Sequence, residues 1–217
     1  MIAMPLVSDR TIGRLSLYRR LLSEMAAEGV KFVYSHQLAN RAGGTAAQVR
    51  RDMMSLGYTG SPTKGYEVQE LAQSIGRFLD APRGQAVALV GIGNLGRAIM
   101  TYFAGRRPHL AISAAFDTDP YKADRVIHGC RCHRMAELQQ VIEAEGIQVA
   151  IITVPAGEAQ NVADQLVRAG VRGILNFAPV PLRVPPEVHV EYIDMTMTLE
   201  KVAYFARKGT AEKEVSQ

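Results

Sequence analysis

The stretch Ala86-Val87-Ala88-Leu89-Val90-Gly91-Ile92-Gly93-Asn94-Leu95-Gly96 decides the fold. Its apolar residues predict a buried strand, its glycines a tight turn, and the residues up to about 104 a helix. In such a unit the first glycine permits the turn, the second lets backbone approach a pyrophosphate, and the third allows close packing of helix on strand. The helix start offers N–H donors to phosphate oxygens. The sequence therefore predicts a dinucleotide bound by Gly91, Gly93, Asn94, Leu95 and Gly96.

A second strand is predicted over residues 110–116 and ends at Asp117, twenty-one positions after Gly96. An acid at this strand end accepts hydrogen bonds from the adenosine ribose hydroxyls and repels a 2′-phosphate. The sequence therefore favours NAD(H) over NADP(H). Lys122 and Arg125 follow closely and weaken that preference, although on a turn they can also be solvated side chains.

Helices and strands alternate through the rest of the chain, which predicts a parallel sheet covered by helices. The predicted elements are helix 135–144, strand 149–154, helix 158–169, strand 173–177 and strand 189–194. Ligands of such sheets lie beyond the carboxyl ends of the strands. The segments Thr153-Val154-Pro155 and Asn176-Phe177 are therefore candidate borders of a nicotinamide pocket, the alternative being ordinary turn chemistry.

About eighty residues precede the glycine turn, and they are basic. Residues 1–66 contain nine Lys or Arg and four Asp or Glu, a net charge of +5 within a chain of 217 residues and net charge +4. A basic N-terminal third joined to a nearly neutral remainder suggests a polyanionic partner for the first part.

The N-terminal third has the pattern of a winged-helix domain. Leu15, Tyr18, Leu22 and Met25 recur at helical spacing and predict a first helix, while Lys31-Phe32-Val33-Tyr34 predicts a short strand. Ser35 is a candidate cap for a second helix, and Thr45 with Gln48 forms a capping-box pattern for a third. The spacing of Ala39, Gly43 and Val49 matches a helix-turn-helix.

The third helix has an outer face suited to DNA. With Val49 and Met53 inward, Gln48, Arg51 and Ser55 face outward and Arg50 lies at the margin. Gln addresses adenine and Arg guanine, whereas marginal arginines neutralise phosphate. Residues 58–59 and 66–68 are predicted to pair as a wing whose tip carries Lys64. The alternative is a small helical domain with solvated basic residues.

No convincing catalytic set accompanies the dinucleotide motif, so the chain is predicted not to be an enzyme. Tyr204 and Lys208 have the spacing of short-chain dehydrogenases but lack its context. The segment His128-Gly129-Cys130-Arg131-Cys132-His133 could hold a soft metal or act as a thiol sensor. We favour a strand in which both cysteines are buried.

The composition is that of a globular protein, with 47% hydrophobic residues and no apolar run that reaches the roughly 20 residues of a membrane span. The two cysteines are too close together to suggest a secreted disulfide framework. We therefore expect a cytoplasmic protein.

The chain resembles the Rex family of redox-sensing transcriptional repressors over nearly its whole length. The resemblance rests on residues 48–52 with 64–66, residues 91–96 through Tyr102, and residues 116–120, 153–156 and 173–179. It departs from the family at Ser61-Pro62-Thr63, where members commonly carry an arginine in the wing.

The resemblance implies an α/β protein with three parts: a winged-helix DNA-binding domain (1–82), a Rossmann-like doubly wound NAD(H)-binding domain (83–195) and a C-terminal swapped dimerisation helix (196–217). It implies a homodimer that binds a palindromic operator when NADH is scarce and is released by NADH. It also implies a switch formed by Tyr102, Asp194 and an N-terminal arginine, assigned to Arg14. Alternatively, Tyr102 belongs to a core stripe and Asp194 caps the final helix.

Two other functions remain open from the sequence. An NAD-dependent oxidoreductase with an accessory N-terminal domain would use the same glycine turn, and so would a CoA-binding module.

Overall fold

The computed structural model describes residues 7–82, 84–105 and 110–214, with side chains described as far as Arg207. The chain divides into two compact units, Met1–Pro82 and Arg83–Gln217. The last three residues of the predicted C-terminal segment 196–217 lie outside the described part, as does the side chain of Lys208.

The first unit is a small helical domain with one two-stranded sheet. Its elements are α1 (Asp9–Ala27), β1 (Phe32–Val33), α2 (Ser35–Ala42), α3 (Ala46–Ser55), β2 (Tyr66–Glu67) and α4 (Val68–Leu79). The four stripe residues predicted for α1 are all buried, together with Val49 and Met53 of α3 and Leu71 and Ile75 of α4. This single apolar cluster holds α3 against α1 and leaves the opposite face of α3 exposed.

Two helix starts differ from prediction. Helix α2 is capped at Tyr34, not Ser35, because the side chain of Gln37 accepts a hydrogen bond from the Tyr34 N–H at 2.8 Å and fixes the start one residue earlier. Helix α3 forms half of the predicted capping box: the Thr45 hydroxyl accepts from the Gln48 N–H at 3.2 Å, but the Gln48 side chain bonds to Asp52 instead.

The strand pairing predicted for the wing is wrong. Strand β2 pairs antiparallel with β1, whereas residues 58–59 are not a strand and the wing loop is closed only by the bridge between Ser61 and Gly65. Gly65 explains the preference: it has φ +78°, and a Cβ there would lie 2.5 Å from the carbonyl oxygen of Val33. The absence of a side chain lets β2 approach β1 closely.

The second unit is built on a seven-stranded sheet of order β5-β6-β4-β3-β7-β8-β9. The elements are β3 (Gln85–Val90), α5 (Asn94–Phe103), β4 (Leu110–Asp117), β5 (Val126–Ile127), β6 (Cys130–Arg134), α6 (Leu138–Glu145), β7 (Val149–Ile152), α7 (Ala156–Arg168), β8 (Gly173–Asn176), β9 (His189–Tyr192) and α8 (Met195–Glu214). All neighbouring strands are parallel except β5, which pairs antiparallel with β6. The predicted helix 135–144 is divided into a 3-10 turn, Met135–Glu137, and α6.

Helices cover both faces of this sheet, which confirms the doubly wound α/β fold. Ala88 and Val90 of β3 face a core that includes residues of α6 and α7, whereas Val87 and Leu89 face a core that includes residues of α5. Between β4 and β6, residues 118–125, all of which the structure describes, form turns rather than a helix.

The register brings the candidate site to one edge. Val90 of β3 pairs with Phe116 of β4 and with Ile152 of β7, and Ile152 pairs with Asn176 of β8. The next residues therefore follow one another along the carboxyl edge of the sheet in the order 117, 91, 153 and 177.

Helix α8 exposes more large apolar side chains than any other helix in the part of the chain that the structure describes. The apolar side chains of Met195, Leu199, Val202 and Phe205 are 60 to 69% exposed. Among the described residues, none of the helices combines the length and apolar character needed to cross a membrane.

Candidate functional site

The glycine turn has the geometry that its sequence predicts. Gly91 has φ +98°, and its N–H donates to the carbonyl oxygen of Phe116 at 2.8 Å, which fixes the end of β3 against β4. A Cβ on Gly96 would collide with the carbonyl oxygen of Gly91, so α5 packs on the turn only because this residue has no side chain.

Gly93 has a different role. Apart from Gly93 and its two chain neighbours, no atom of the described residues lies within 4 Å of the position that a Cβ would take there, so the space in front of its backbone is open. Gly93 caps α5, and the first N–H groups of a helix have no partners within it. The turn thus presents backbone donors and the positive end of a helix to open space, an arrangement suited to a pyrophosphate.

Asp117, at the end of β4, is 9% exposed and lies beside the turn. Its carboxylate accepts hydrogen bonds from the N–H of Ile92 at 2.7 Å, the N–H of Asp119 at 2.9 Å and the ammonium of Lys122 at 3.1 Å. Burial raises the pKa of the Asp117 carboxyl, but these donors outweigh burial and lower it below its ordinary value. The group is therefore an anion at neutral pH, and Lys122 is bound to it rather than solvated.

Of the three residues after β7 that were predicted to border the nicotinamide pocket, Thr153 holds the backbone of the glycine turn. The Thr153 hydroxyl donates to the carbonyl oxygen of Gly91 at 2.7 Å and ties the end of β7 to the turn. Val154 is half-buried, and Pro155 is exposed and caps α7. Thr153 therefore fixes the shape of the turn.

The fully buried Asn176 holds the loop after β8. Its amide group donates to the carbonyl oxygens of Ala178 and Val180, and its oxygen accepts from the N–H of Ala178 at 3.0 Å. Phe177 is half-buried at the same strand end. Asn176 thus shapes this border through its bonds to the loop.

Of the two alternatives for the switch residues, the core stripe is wrong for Tyr102, whose side chain is exposed, and the helix cap is confirmed for Asp194. Tyr102 is 56% exposed on α5, and its ring meets that of Phe103 edge to face. Asp194 accepts a hydrogen bond from the N–H of Met197 at 2.8 Å and so caps α8.

The third helix presents the basic surface that the sequence predicts. Arg50, Arg51 and Ser55 are exposed, and Gln48 is partly exposed. Arg50 donates to the Ser35 hydroxyl at 3.1 Å, which holds it beside the first turn of α2. Lys64, at the wing tip, is exposed and its ammonium lies 5.7 Å from the ring centre of Phe32. The face can meet a polyanion.

Sequence reasoning missed the buried carboxylate of this helix. Asp52 is 2% exposed, and its carboxylate accepts hydrogen bonds from Nε and Nη2 of Arg14, each at 2.7 Å. Tyr18 and Gln48 are further donors to it. Burial raises the pKa of Asp52, but the donors lower it overall, and burial raises the pKa of Tyr18 to about 12. The sequence did contain one signal that this side chain is buried. Position 52 is one residue before Met53 and three after Val49, so it lies at the border of the inward stripe.

The cysteine segment is the strand that we favoured. Cys130 and Cys132 are free thiols on β6 and are buried in the core. Burial raises the pKa of each thiol to about 11, so both are protonated and weakly nucleophilic at neutral pH.

Comparison with known proteins agrees with both units. Residues 6–53 match the family described as "Putative DNA-binding protein N-terminus", and residues 83–180 match the CoA binding domain family. The chain is 42% identical to the redox-sensing transcriptional repressor Rex of Syntrophobacter fumaroxidans over 92% of its own length and 96% of that protein.

Two solved structures of RSP, a Rex-family repressor, are similar over almost all of both chains. The complex of RSP with beta-NADH has a TM-score of 0.84 at 30% identity, covering 97% of this chain and 99% of RSP. The complex with beta-NAD+ and operator DNA has a TM-score of 0.87 at 31% identity, covering 97% of each chain.

These relatives are transcriptional repressors, which confirms the prediction that the chain is a regulator rather than an enzyme. The chain belongs to the Rex family of redox-sensing transcriptional repressors.

Proposed function

We propose that this chain binds NAD(H) at the glycine turn and operator DNA through α3, and that NADH releases the DNA. The observation that carries the proposal is that one chain contains two such units. One unit presents the open turn and the anionic Asp117, and the other presents an exposed basic helix. We assign DNA binding to residues 1–82, nucleotide binding to residues 83–195 and dimerisation to residues 196–217.

The dinucleotide would lie across the carboxyl edge of the sheet. We place its pyrophosphate at Gly91, Gly93 and the N–H groups of residues 94–96, and its adenosine ribose at Asp117. The nicotinamide would be bordered by Thr153, Val154, Pro155, Asn176 and Phe177. Among these, Thr153 and Asn176 would act by fixing the loops. The complexes of RSP with beta-NADH and with beta-NAD+ support this assignment.

The protein would distinguish NADH from NAD+ by the charge of the nicotinamide ring. The oxidised nicotinamide ring is a cation, whereas the reduced ring is neutral. Burial of an unpaired charge in an apolar interface is unfavourable, so a pocket between subunits would favour NADH. NADH can shift the repressor only by the difference between its affinities for the two arrangements of the dimer.

DNA would be bound by the outer face of α3. Gln48, Arg51 and Ser55 would face the major groove, while Arg50 and Lys64 would neutralise phosphates. The RSP complex with operator DNA supports this placement. A protein that acts on operators must share a compartment with the genome, so we also propose a cytoplasmic location.

The exposed apolar face of α8 would provide the dimer contact. A helix whose Leu199, Val202 and Phe205 are 61 to 69% exposed loses stabilisation in water unless a partner covers it. In a symmetric dimer, exchange of this helix between subunits would cover both copies. Leu199→Glu should therefore dissociate the dimer in analytical ultracentrifugation, while Glu200→Ala on the same helix should not.

For the switch we retain Tyr102 and Asp194 and re-examine the arginine. Arg14 is bound to the buried Asp52, so its release would leave a buried carboxylate unpaired, at a cost of several kcal/mol. Arg20, also on α1, is exposed. We propose Arg20 in place of Arg14, and Arg20→Ala should weaken the response to NADH without unfolding the first unit.

The test is a mobility shift on the DNA upstream of the protein's own operon at fixed salt, with NADH and NAD+ titrated separately and CoA as a control ligand. We expect NADH to dissociate the complex at concentrations where NAD+ and CoA do not. Persistence of the complex at saturating NADH would contradict the proposal.

Two variants separate the sites. Arg51→Ala should weaken operator binding and leave NADH binding intact, and Asp117→Ala should do the reverse. Loss of both functions in either variant would indicate misfolding.

A further inference from the structure

The carboxylate of Asp52 is saturated by donors from α1 and from α3 itself. Oδ1 accepts from Nη2 of Arg14 at 2.7 Å and from Nε2 of Gln48 at 3.1 Å. Oδ2 accepts from Nε of Arg14 at 2.7 Å and from the hydroxyl of Tyr18 at 3.1 Å. An ionised carboxylate has about four acceptor sites, and all are used here.

This arrangement fixes which end of the Gln48 amide faces outward. The NH2 group points to Asp52, so the oxygen points away from it and accepts from Nη2 of the exposed Arg51 at 3.3 Å. The two ends of an amide have opposite hydrogen-bonding character, and reversal would place the Gln48 oxygen against a carboxylate. The ion pair of Arg14 and Asp52 therefore orients a group on the outer face of α3.

The next turn of the helix is constrained in the same way. The hydroxyl of exposed Ser55 donates to the backbone carbonyl of Asp52 at 2.7 Å, so its proton is used and its oxygen can act only as an acceptor toward a further partner. Gln48 and Ser55 thus both present acceptors. In the major groove, acceptors match the exocyclic amino groups of adenine and cytosine and not the keto oxygens of guanine and thymine.

We propose that Asp52 is a positioning residue for base recognition: it holds the Gln48 oxygen outward, so that Gln48 selects an amino-bearing base in each half-site. This inference rests on the proposed DNA-binding function. It differs from a purely structural role for Asp52, which would affect all DNA sequences equally.

The experiment measures a ratio of affinities for the full-length protein. Operators that differ at one base pair, with adenine or cytosine replaced by guanine or thymine, are titrated by fluorescence anisotropy at fixed salt. The proteins are the wild type, Gln48→Ala, Asp52→Asn, the double variant and Tyr18→Phe. The last is the matched control, because it removes a donor from Oδ2 and leaves the bond between Oδ1 and Gln48.

We expect the wild type to prefer the amino-bearing base about fivefold or more at one position of each half-site. Gln48→Ala and Asp52→Asn should both bring this ratio close to one, and the double variant should match Gln48→Ala. Tyr18→Phe should keep the wild-type ratio while its unfolding midpoint falls.

Three results would overturn the inference. Asp52→Asn could weaken binding to all operators with the ratio unchanged, Gln48→Ala could keep the ratio, or Tyr18→Phe could lose it as Asp52→Asn does. If the wild type forms no specific complex with any operator, the proposed function itself fails.

A second measurement decides the case if Asp52→Asn does not fold. In the wild-type protein, one proton of the Gln48 side-chain amide should exchange with solvent more slowly than in a short peptide, as seen by NMR. Exchange of both protons at the peptide rate would contradict the orientation that we infer.

Discussion

Two buried aspartates, one in each unit, are held in contrasting ways. Asp117 receives backbone N–H groups from residues 92 and 119, at most 25 positions away and both within the strand-end segments of the candidate site. Asp52 receives only side chains, and two of its partners, Arg14 and Tyr18, are 38 and 34 positions away on another helix. Both carboxyls have a lowered pKa.

The difference shows which sites can be inferred from a sequence. Backbone donors are supplied by the turn itself, so the glycine spacing predicts the surroundings of Asp117 whatever the neighbouring side chains are. Side-chain donors depend on how two helices pack. The Asp52 cluster therefore follows from tertiary structure and not from a local pattern.

The largest expected effect is a loss of unfolding free energy when Asp52 of α3, the partner of Arg14 on α1, is removed. Asp52→Ala leaves Arg14 without its partner in a partly buried position, and breaking such a pair costs about 3–5 kcal/mol. Urea unfolding of the first unit should show this loss. Arg41→Ala, which breaks an exposed pair with Glu28, should lower the unfolding free energy by less than about 1 kcal/mol. Equal effects of the two variants would remove the distinction.

At the nucleotide site the expected loss is of ligand affinity. Asp117→Asn removes the charge that the ribose hydroxyls would meet, and a hydrogen bond to a charged group contributes about 1.5–3 kcal/mol. The Kd for NADH should rise at least about tenfold in a fluorescence titration, while operator affinity without nucleotide is unchanged. Asp119→Asn, at a half-buried neighbour, should change the Kd less than about threefold. An unaltered Kd in Asp117→Asn would place the ribose elsewhere.

The same comparison shows how far the sequence alone reaches. The glycine turn, Asp117, the alternation of strands and helices and the exposed face of α3 follow from local patterns and were predicted. The strand pairing of the wing was not, because β2 pairs with the distant β1 through the close approach at Gly65. The buried Asp52 was missed for the same reason, since an acid beside an apolar stripe looks solvated until its partners are placed.

Acid should destabilise both units. The folded pKa of each aspartate lies below the unfolded value, so the unfolded chain binds more protons as the pH falls through about 4, and the unfolding free energy decreases there. The stabilisation is complete above that pH. Between about pH 5 and 3, the unfolding free energy of the first unit, measured by urea unfolding, should fall less steeply in Asp52→Asn than in the wild type. A decline of unchanged slope would show that other groups cause it.

A smaller effect than at Asp52 is expected at Lys122. Its ammonium lies 3.1 Å from Asp117, but Asp117 keeps both backbone donors when Lys122 is removed. Lys122→Ala should lower the unfolding free energy by about 1–2 kcal/mol, which is well below the loss expected for Asp52→Ala. A loss as large as that of Asp52→Ala would mean that Asp117 also depends on a side-chain partner.

The most direct test of the account is reciprocity between the two ligands. If NADH weakens operator binding by some factor, operator DNA must weaken NADH binding by the same factor. The Kd for NADH, measured by fluorescence with and without saturating operator at one salt concentration, should rise at least about tenfold on adding DNA, and the Kd for NAD+ should rise less. Equal NADH affinities with and without operator would contradict the coupling of the two sites.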